Sequence, residues 1–374
     1  MRIALDARKV TQADSGIGTY TLNLARALLE EDKDLELVLV CNTTGGRGRL
    51  ADPRVTEVVF PFPPISPYTR YALGPFLRRQ RFDVFHTPFD VVPRGVQHPL
   101  VVTIHDIHWL VNPRYNTPPP LLGWVTRAYY RTHLTAALQE AHRLLAVSQA
   151  TRRAICDYAP WHDAKVRVTY NGLDTSRIYP MDKAQAARRL APYLPPGTPF
   201  VLTVGQGAPY KNHLHAVQGF LEAFRDHPSY RLLLVRRAVQ RDKELAALLR
   251  HPEVQARVRV LSYVTGDLLN ALYNAARIVL HPSYNEGFGL PLVEAMAVGT
   301  PLVTSSVSAM PEIVGPAAVL VDPADVRAMG AALQALDRDE ALRARLIAAG
   351  RQRVQRFCWR ACARATLAVY REVA

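Results

Sequence analysis

The sequence predicts an α/β protein made of doubly wound parallel sheets in two successive domains. Three observations predict it. Short apolar runs recur along the chain, each followed by a turn rich in glycine or proline and then an amphipathic stretch. Between Arg277 and Thr304 the pattern is complete: a run RIVLH, the turn Gly287-Phe288-Gly289-Leu290-Pro291, a helix ending at Gly299, and a new run PLVT. Pro291 suits a first helical position and Gly299 a helix end, which makes the stretch a βαβ unit. Finally, 374 residues suffice for two domains that each bury a core, and the Pro-rich stretch at 191–199 separates two series of such runs.

Taken in order, Arg2 to Ala7 reads as the first strand. It is followed by Ser15-Gly16-Ile17-Gly18 and a helix with Tyr20, Leu24 and Leu28 on one face. Gly16 and Gly18 are expected to supply positive φ and let a ligand approach the backbone at the carboxyl edge of the sheet. The dinucleotide fingerprint is not met, since Thr21 occupies its third glycine position. Further strands are expected at Leu35 to Cys41, Val55 to Phe60, Val84 to His86, Leu100 to His105, Arg143 to Val147 and Val166 to Tyr170, with loops at 44–48 and 61–67. Leu121 to Glu140 reads as an ordinary packed helix, although its mixed aromatic and basic residues also fit a membrane surface. Ser148 is positioned to cap the next helix. The segment from Asp174 to Pro199 reads as an interdomain linker.

The second series begins at Phe200 to Val204. Gly205-Gln206-Gly207 and Lys211 follow, with Asn212 as expected N-cap of the next helix. Leu232 to Val235 runs into Arg236-Arg237, and Asp267 to Ala276 is a helix. The amides of Gly287, Phe288, Gly289 and Leu290 would point out of a helix N-terminus, where partial positive charge favours a phosphate. Glu286 lies at the mouth of that loop and Glu294 about one turn inside the helix. A carboxylate accepts two hydrogen bonds from neighbouring hydroxyls, so one glutamate could hold a sugar and the other a ribose. The chain from Asp325 is helical and arginine-rich.

Composition narrows the function. Hydrophobic content of 49% and charged content of 21% describe a folded chain, and no apolar run reaches the roughly 20 residues that span a bilayer. MRIALDARKV enters a strand directly and does not read as a signal peptide. The four scattered cysteines suggest reduced thiols, hence a cytoplasmic protein. The net charge of +14 favours acidic partners: phosphorylated substrates, an anionic membrane face or nucleic acid. Nucleic acid is not expected, because no recognisable binding motif accompanies the charge.

Glu286 to Glu294 with the GFGLP loop and EAMAVGTPLV resembles the E-x7-E motif of the family 4 retaining glycosyltransferases, and the likeness extends over almost the whole chain. The resemblance implies the GT-B fold, two Rossmann-like domains facing across a cleft: 1–175 on the acceptor side, 176–355 for the donor, and 356–374 as a helix returning to the first domain. It implies transfer of a sugar from a nucleotide sugar with retained configuration. Glu286 would contact that sugar, Glu294 the ribose, and Lys211 the diphosphate. His105, which ends a strand, would lie close to the transferred sugar. Asp106, His108 and Trp109 are candidates for the acceptor side. The opening DARxxxxxxSGIGTYTxNL is similar to that of mannosyltransferases building bacterial surface polysaccharides. GDP-mannose is therefore the expected donor, with a UDP-sugar as the alternative, and a glycan or lipid-linked molecule the acceptor. Gln206 and Tyr210 stand where the family usually has arginine, so Arg236 is expected to supply the missing cation. A nucleotide-sugar-binding protein without turnover is the competing reading. No cofactor or metal is expected, since no DxD-like pair is present.

Overall fold

The computed structural model describes residues 1–10, 16–43, 46–112, 123–237 and 242–374. Ser15, the start of the 44–48 loop and residues 121–122 of the expected helix lie outside the described residues. The chain forms two compact units, one from the described residues up to Gly172 plus Cys358–Ala374, the other from Leu173–Phe357. The sequence places those divisions near 175 and 355.

The first unit holds β1 (Arg2–Asp6), β2 (Glu36–Cys41), β3 (Val55–Val59), β4 (Val84–Thr87), β5 (Leu100–Ile104), β6 (Arg143–Ala146) and β7 (Val166–Val168). They pair in parallel in the order β3-β2-β1-β4-β5-β6-β7. Both faces of β4 to β6 are buried, which explains why their sequences are apolar without alternation. The helix Gly16–Glu31 buries Tyr20, Leu24 and Leu28 on one face. The last helix, Trp359–Val373, joins the same core through Ala363, Leu367 and Tyr370, and its solvent side pairs Arg371 with Asp32. On the opposite face, the helices Leu73–Leu77, Gly123–Glu140 and Gln149–Tyr158 cover the sheet. Ser148 accepts from Thr151 N at 3.0 Å, the expected N-cap.

The second unit has β8 (Phe200–Gln206), β9 (Arg231–Arg237), β10 (Val258–Leu261), β11 (Ile278–His281), β12 (Leu302–Ser305) and β13 (Val319–Val321), parallel in the order β10-β9-β8-β11-β12-β13. Strand order reverses between β8 and β11 here and between β1 and β4 in the first unit, and an open parallel sheet binds ligands beyond the carboxyl ends at such a point.

Three expectations need correction. The segment after Asp174 is not a linker: the helix Lys183–Leu190 packs on Gly266–Ala275. Asn270 and Asn274, one turn apart on that second helix, accept from the backbone of Tyr179 and Met181 at 3.1 and 2.7 Å. Gly16 and Gly18 do not supply positive φ, because both already lie in the first turn of a right-handed helix. Asn212 does not cap with its side chain. It sits at φ 55°, and its Nδ2 donates to Pro282 O (3.0 Å) and Pro323 O (2.7 Å), tying together the loops after β11 and β13.

Candidate active site

In the second unit, β8 delivers Lys211 and β11 delivers Glu286 to the point where strand order reverses. Lys211 Nζ donates to both carboxylate oxygens of Glu286, at 2.6 Å to Oε1 and 2.8 Å to Oε2. Oε1 also receives His281 Nε2 at 2.7 Å and Ser283 Oγ at 2.8 Å. Ser308, itself at φ 57°, donates to Glu286 O at 2.8 Å. Burial opposes ionisation of Glu286, but the Lys211 ammonium and the His281 hydrogen bond outweigh it and hold the carboxyl well below the usual range. Gly205 makes room: a Cβ there would sit 3.1 Å from His213 Nε2 and 3.3 Å from Lys211 Cδ.

The loop between the glutamates turns at Gly289, φ 92°, and the helix Leu290–Val298 starts behind it with a proline in its first turn. It ends at Gly299 in the left-handed conformation, as its sequence predicts. The Phe288 ring is buried edge-on against Phe357 at 5.4 Å, so that side chain anchors the loop and any donor contact falls to its amide. Glu294 Oε2 accepts from the hydroxyl of Tyr273 at 2.6 Å. Burial pushes its carboxyl above the usual range.

Arg236 lies opposite Gly205 in the β8–β9 register, half-buried, and its Nε has no hydrogen-bond partner among the described residues. Its charge reaches His213, whose buried ring is driven down to about 3 by desolvation and by Arg236, Lys211 and His281. The second unit therefore gathers Lys211, Arg236, Glu286 and the Gly287–Leu290 loop around one sheet edge, with Glu294 farther along the helix.

In the first unit, His105 follows β5. Its Nε2 meets Pro88 O at 3.1 Å and its ring lies edge-on to Tyr20 at 4.9 Å. Burial lowers its pKa, so the ring is neutral at pH 7. With Nε2–H given to a carbonyl, Nδ1 is left as an acceptor for a hydroxyl. Burial opposes ionisation of Asp106, yet the His108 imidazole beside it keeps its carboxyl below the usual range. Trp109 stacks on Tyr130 at 4.2 Å, and His108 lies against Trp109 at 6.0 Å. Gly16 is exposed and Gly18 buried, both on the helix that follows β1.

Sequence reasoning missed His281, Ser283, Ser308, Tyr273 and His213. His281, Ser283 and Ser308 stand inside or beside the motif, but a hydrogen bond to a glutamate leaves no spacing signal. Missed too is Arg8, fully buried, which pairs with Asp6 (Nη2–Oδ2 2.6 Å) and donates to Thr69 Oγ1 at 2.9 Å.

Residues 15–177 match the family model described as Glycosyltransferase Family 4, and residues 189–353 the model described as Glycosyl transferases group 1. The O-antigen chain mannosyltransferase B of Escherichia coli is 30% identical over 300 residues, 79% of this chain and 76% of that protein. A D-inositol 3-phosphate glycosyltransferase of a Nocardioides species is 30% identical over 252 residues, 63% of this chain and 54% of its own. Among solved structures, Anabaena Alr3699/HepE in complex with UDP and glucose has a TM-score of 0.78 at 19% identity with both chains wholly covered. A sucrose-phosphate synthase from Thermosynechococcus elongatus has 0.76 at 23% identity over 99% of this chain and 98% of its own. The fold is GT-B, and the chain belongs to the family 4 glycosyltransferases: it is an enzyme that transfers a sugar from a nucleotide sugar.

Proposed function

We propose that the enzyme moves mannose from GDP-mannose to a hydroxyl of a glycan or lipid-linked acceptor, with retention of configuration. The observation that carries the choice of donor is the likeness to a mannosyltransferase over three quarters of both chains. Lys211, Arg236 and the amides of Gly287, Phe288, Gly289 and Leu290 hold the diphosphate, Glu286 the mannose and Glu294 the ribose. The acceptor hydroxyl attacks the anomeric carbon on the face from which the diphosphate departs. The new C–O bond forms as the bond to phosphate breaks, and the hydroxyl proton passes to the leaving phosphate oxygen. His105 Nδ1 orients a sugar hydroxyl. Cations and amides carry the diphosphate charge without a metal, so EDTA is expected to leave turnover unchanged. A UDP-sugar is the alternative donor; HepE, of the same fold, has been solved with UDP.

The test is thermal stabilisation by GDP, UDP, ADP and dTDP, repeated with Lys211→Ala and Glu294→Ala. Selective stabilisation by GDP, weakened in both variants, is expected. Stabilisation by UDP alone moves the reading to the alternative donor, and no stabilisation by any nucleotide overturns the site. The anomeric proton of the product, read by NMR after GDP-mannose turnover, reports retention.

Contact with an anionic membrane is part of the proposal. The helix Gly123–Glu140 buries its second half but leaves Trp124 76% exposed, with Arg127 and Arg131 one and two turns on. Co-sedimentation with phosphatidylglycerol vesicles at low salt, lost at high salt and in Trp124→Ala, is expected.

A further inference from the structure

Glu294 is held from a neighbouring helix. Tyr273 stands on Gly266–Ala275, between Asn270 and Asn274, which accept from the backbone of Tyr179 and Met181. Its ring is fully buried, and its hydroxyl donates to Glu294 Oε2 at 2.6 Å. Burial and the Glu294 carboxylate push the phenol well above its ordinary value, so it keeps its proton and remains a donor. Tyr273 is fastened a second time through its carbonyl. Thr300 Oγ1, just past the end of the helix Leu290–Val298, donates to Tyr273 O at 2.7 Å, and Thr300 N donates to Ala295 O at 3.0 Å. Glu294 Oε1 accepts no hydrogen bond among the described residues. The charged groups that act on the carboxyl are Arg177 and Asp174, from the segment before Lys183–Leu190. Arg351, on the packed helix Glu340–Val354, lies at the far end, its Nη2 3.2 Å from a Cβ on Gly299.

We propose that Tyr273 is a positioning residue that reserves Oε2 of Glu294 and presents Oε1 alone, so that the enzyme reads the donor's ribose through one hydroxyl. The inference rests on the reading of Glu294 as the ribose ligand. A long carboxylate side chain surrenders rotamer freedom when it binds, and a fixed phenol removes that cost before the donor arrives. Neighbouring hydroxyls meet an uncommitted carboxylate one to each oxygen. With Oε2 committed, one hydroxyl bonds Oε1 and its neighbour adds little. A phenol that merely filled space would have no such effect, because the packing of a buried ring survives loss of its oxygen. Tyr273 also favours the ionised carboxyl against the burial that opposes it. Loss of the hydroxyl therefore raises the pH below which Glu294 is protonated and its hold on the ribose weakens.

The test is the affinity of the full chain for GDP, 2′-deoxy-GDP and 3′-deoxy-GDP, measured by calorimetry in the wild type, Tyr273→Phe and Thr300→Val. UDP and its deoxy analogues replace them if UDP is the nucleotide that stabilises. In the wild type one deoxy analogue is expected to bind at least about 10-fold more weakly than the parent, and the other within about 2-fold of it. Tyr273→Phe keeps the ring; it should bind the parent about 5-fold more weakly and narrow the difference between the analogues. Its affinity should also begin to fall at a higher pH than the wild type's as pH is lowered from neutrality. The nucleotide's own phosphates titrate alike in both proteins, so the offset reports Glu294. Thr300→Val removes the carbonyl clamp but leaves the hydroxyl, and its discrimination and pH profile are expected to match the wild type. Equal affinity for the two deoxy analogues in a wild type that binds the parent overturns the inference and leaves the donor reading standing. So does a Tyr273→Phe protein with wild-type discrimination and pH profile, or a Thr300→Val protein that reproduces the Tyr273→Phe changes. A wild type that binds no nucleotide overturns the donor reading, and this inference with it.

Discussion

A carboxylate has two oxygens, and in Glu286 they are not equivalent. Oε1 accepts from Lys211, His281 and Ser283; Oε2 accepts from Lys211 alone among the described residues. The crowded oxygen fixes the side chain, and the other retains capacity for a sugar hydroxyl. Glu286→Gln keeps the shape but leaves the Lys211 ammonium beside a neutral amide. Turnover is expected to fall about 10²-fold, the scale of losing one preorganised electrostatic contact. Stability should drop by about 3 kcal/mol, as for a broken buried pair, read as a shift in urea midpoint. The buried imidazoles make a second prediction. Burial holds His86 and His213 at about 3, so both are neutral in the folded protein. An unfolded histidine titrates near 6.5, and the unfolded chain therefore takes up protons first as pH falls. Their stability contribution is complete above pH 6.5 and disappears progressively towards pH 3. Each ring is worth about 1.4 kcal/mol per pH unit in that window. Urea midpoints between pH 7 and 5 should fall in the wild type and fall less steeply in His86→Gln.

At the scale of elements, a close approach matters more than a visible ion pair. A Cβ on Gly172 would lie 2.2 Å from Trp359 N and 2.7 Å from Cys358 C. Backbone on the far side cannot yield as a flexible side chain does. Gly172→Ala is expected to cost about 3 kcal/mol and to lower the melting temperature, whereas Arg364→Ala, which removes an ion pair of an exposed arginine with Glu31, should barely move it, since exposed pairs contribute little. This contrast also explains what the sequence reveals. Apolar runs buried on both faces, such as β4, β5 and β11, announce themselves without a partner in view. The edge strand β10, Val258–Leu261, exposes its two central residues and so carries no apolar run that would mark it. Lys183–Leu190 looks like a charged linker because its one buried stripe is Ala186 and Leu190, and the asparagines that fix the preceding segment lie some ninety residues away. At the site, Glu286, Glu294 and Lys211 are legible because their loop chemistry is local in the chain. The Lys211–Glu286 pair and the Asp6–Arg8–Thr69 cluster are not, since only the sheet order brings their parts together.

For the whole molecule, each unit repeats one plan: a parallel sheet whose order reverses once, with polar residues collected beyond that point. Lys211, Arg236, Glu286 and Glu294, to which the proposal gives the donor, lie in the second unit. Hydrogen exchange with and without GDP should show new protection at residues 205–213 and 286–294, with Glu294→Ala reducing it.

The last helix has a consequence for how the protein is made. Residues 358–374 complete the core around Tyr20, Leu24 and Leu28, and Tyr370 reaches His86 at 2.6 Å. A chain leaving the ribosome exposes that unfinished core while all of 173–357 is still being synthesised. The first unit therefore completes its core only after the second has been synthesised, and its apolar face waits for residues 358–374 to close it.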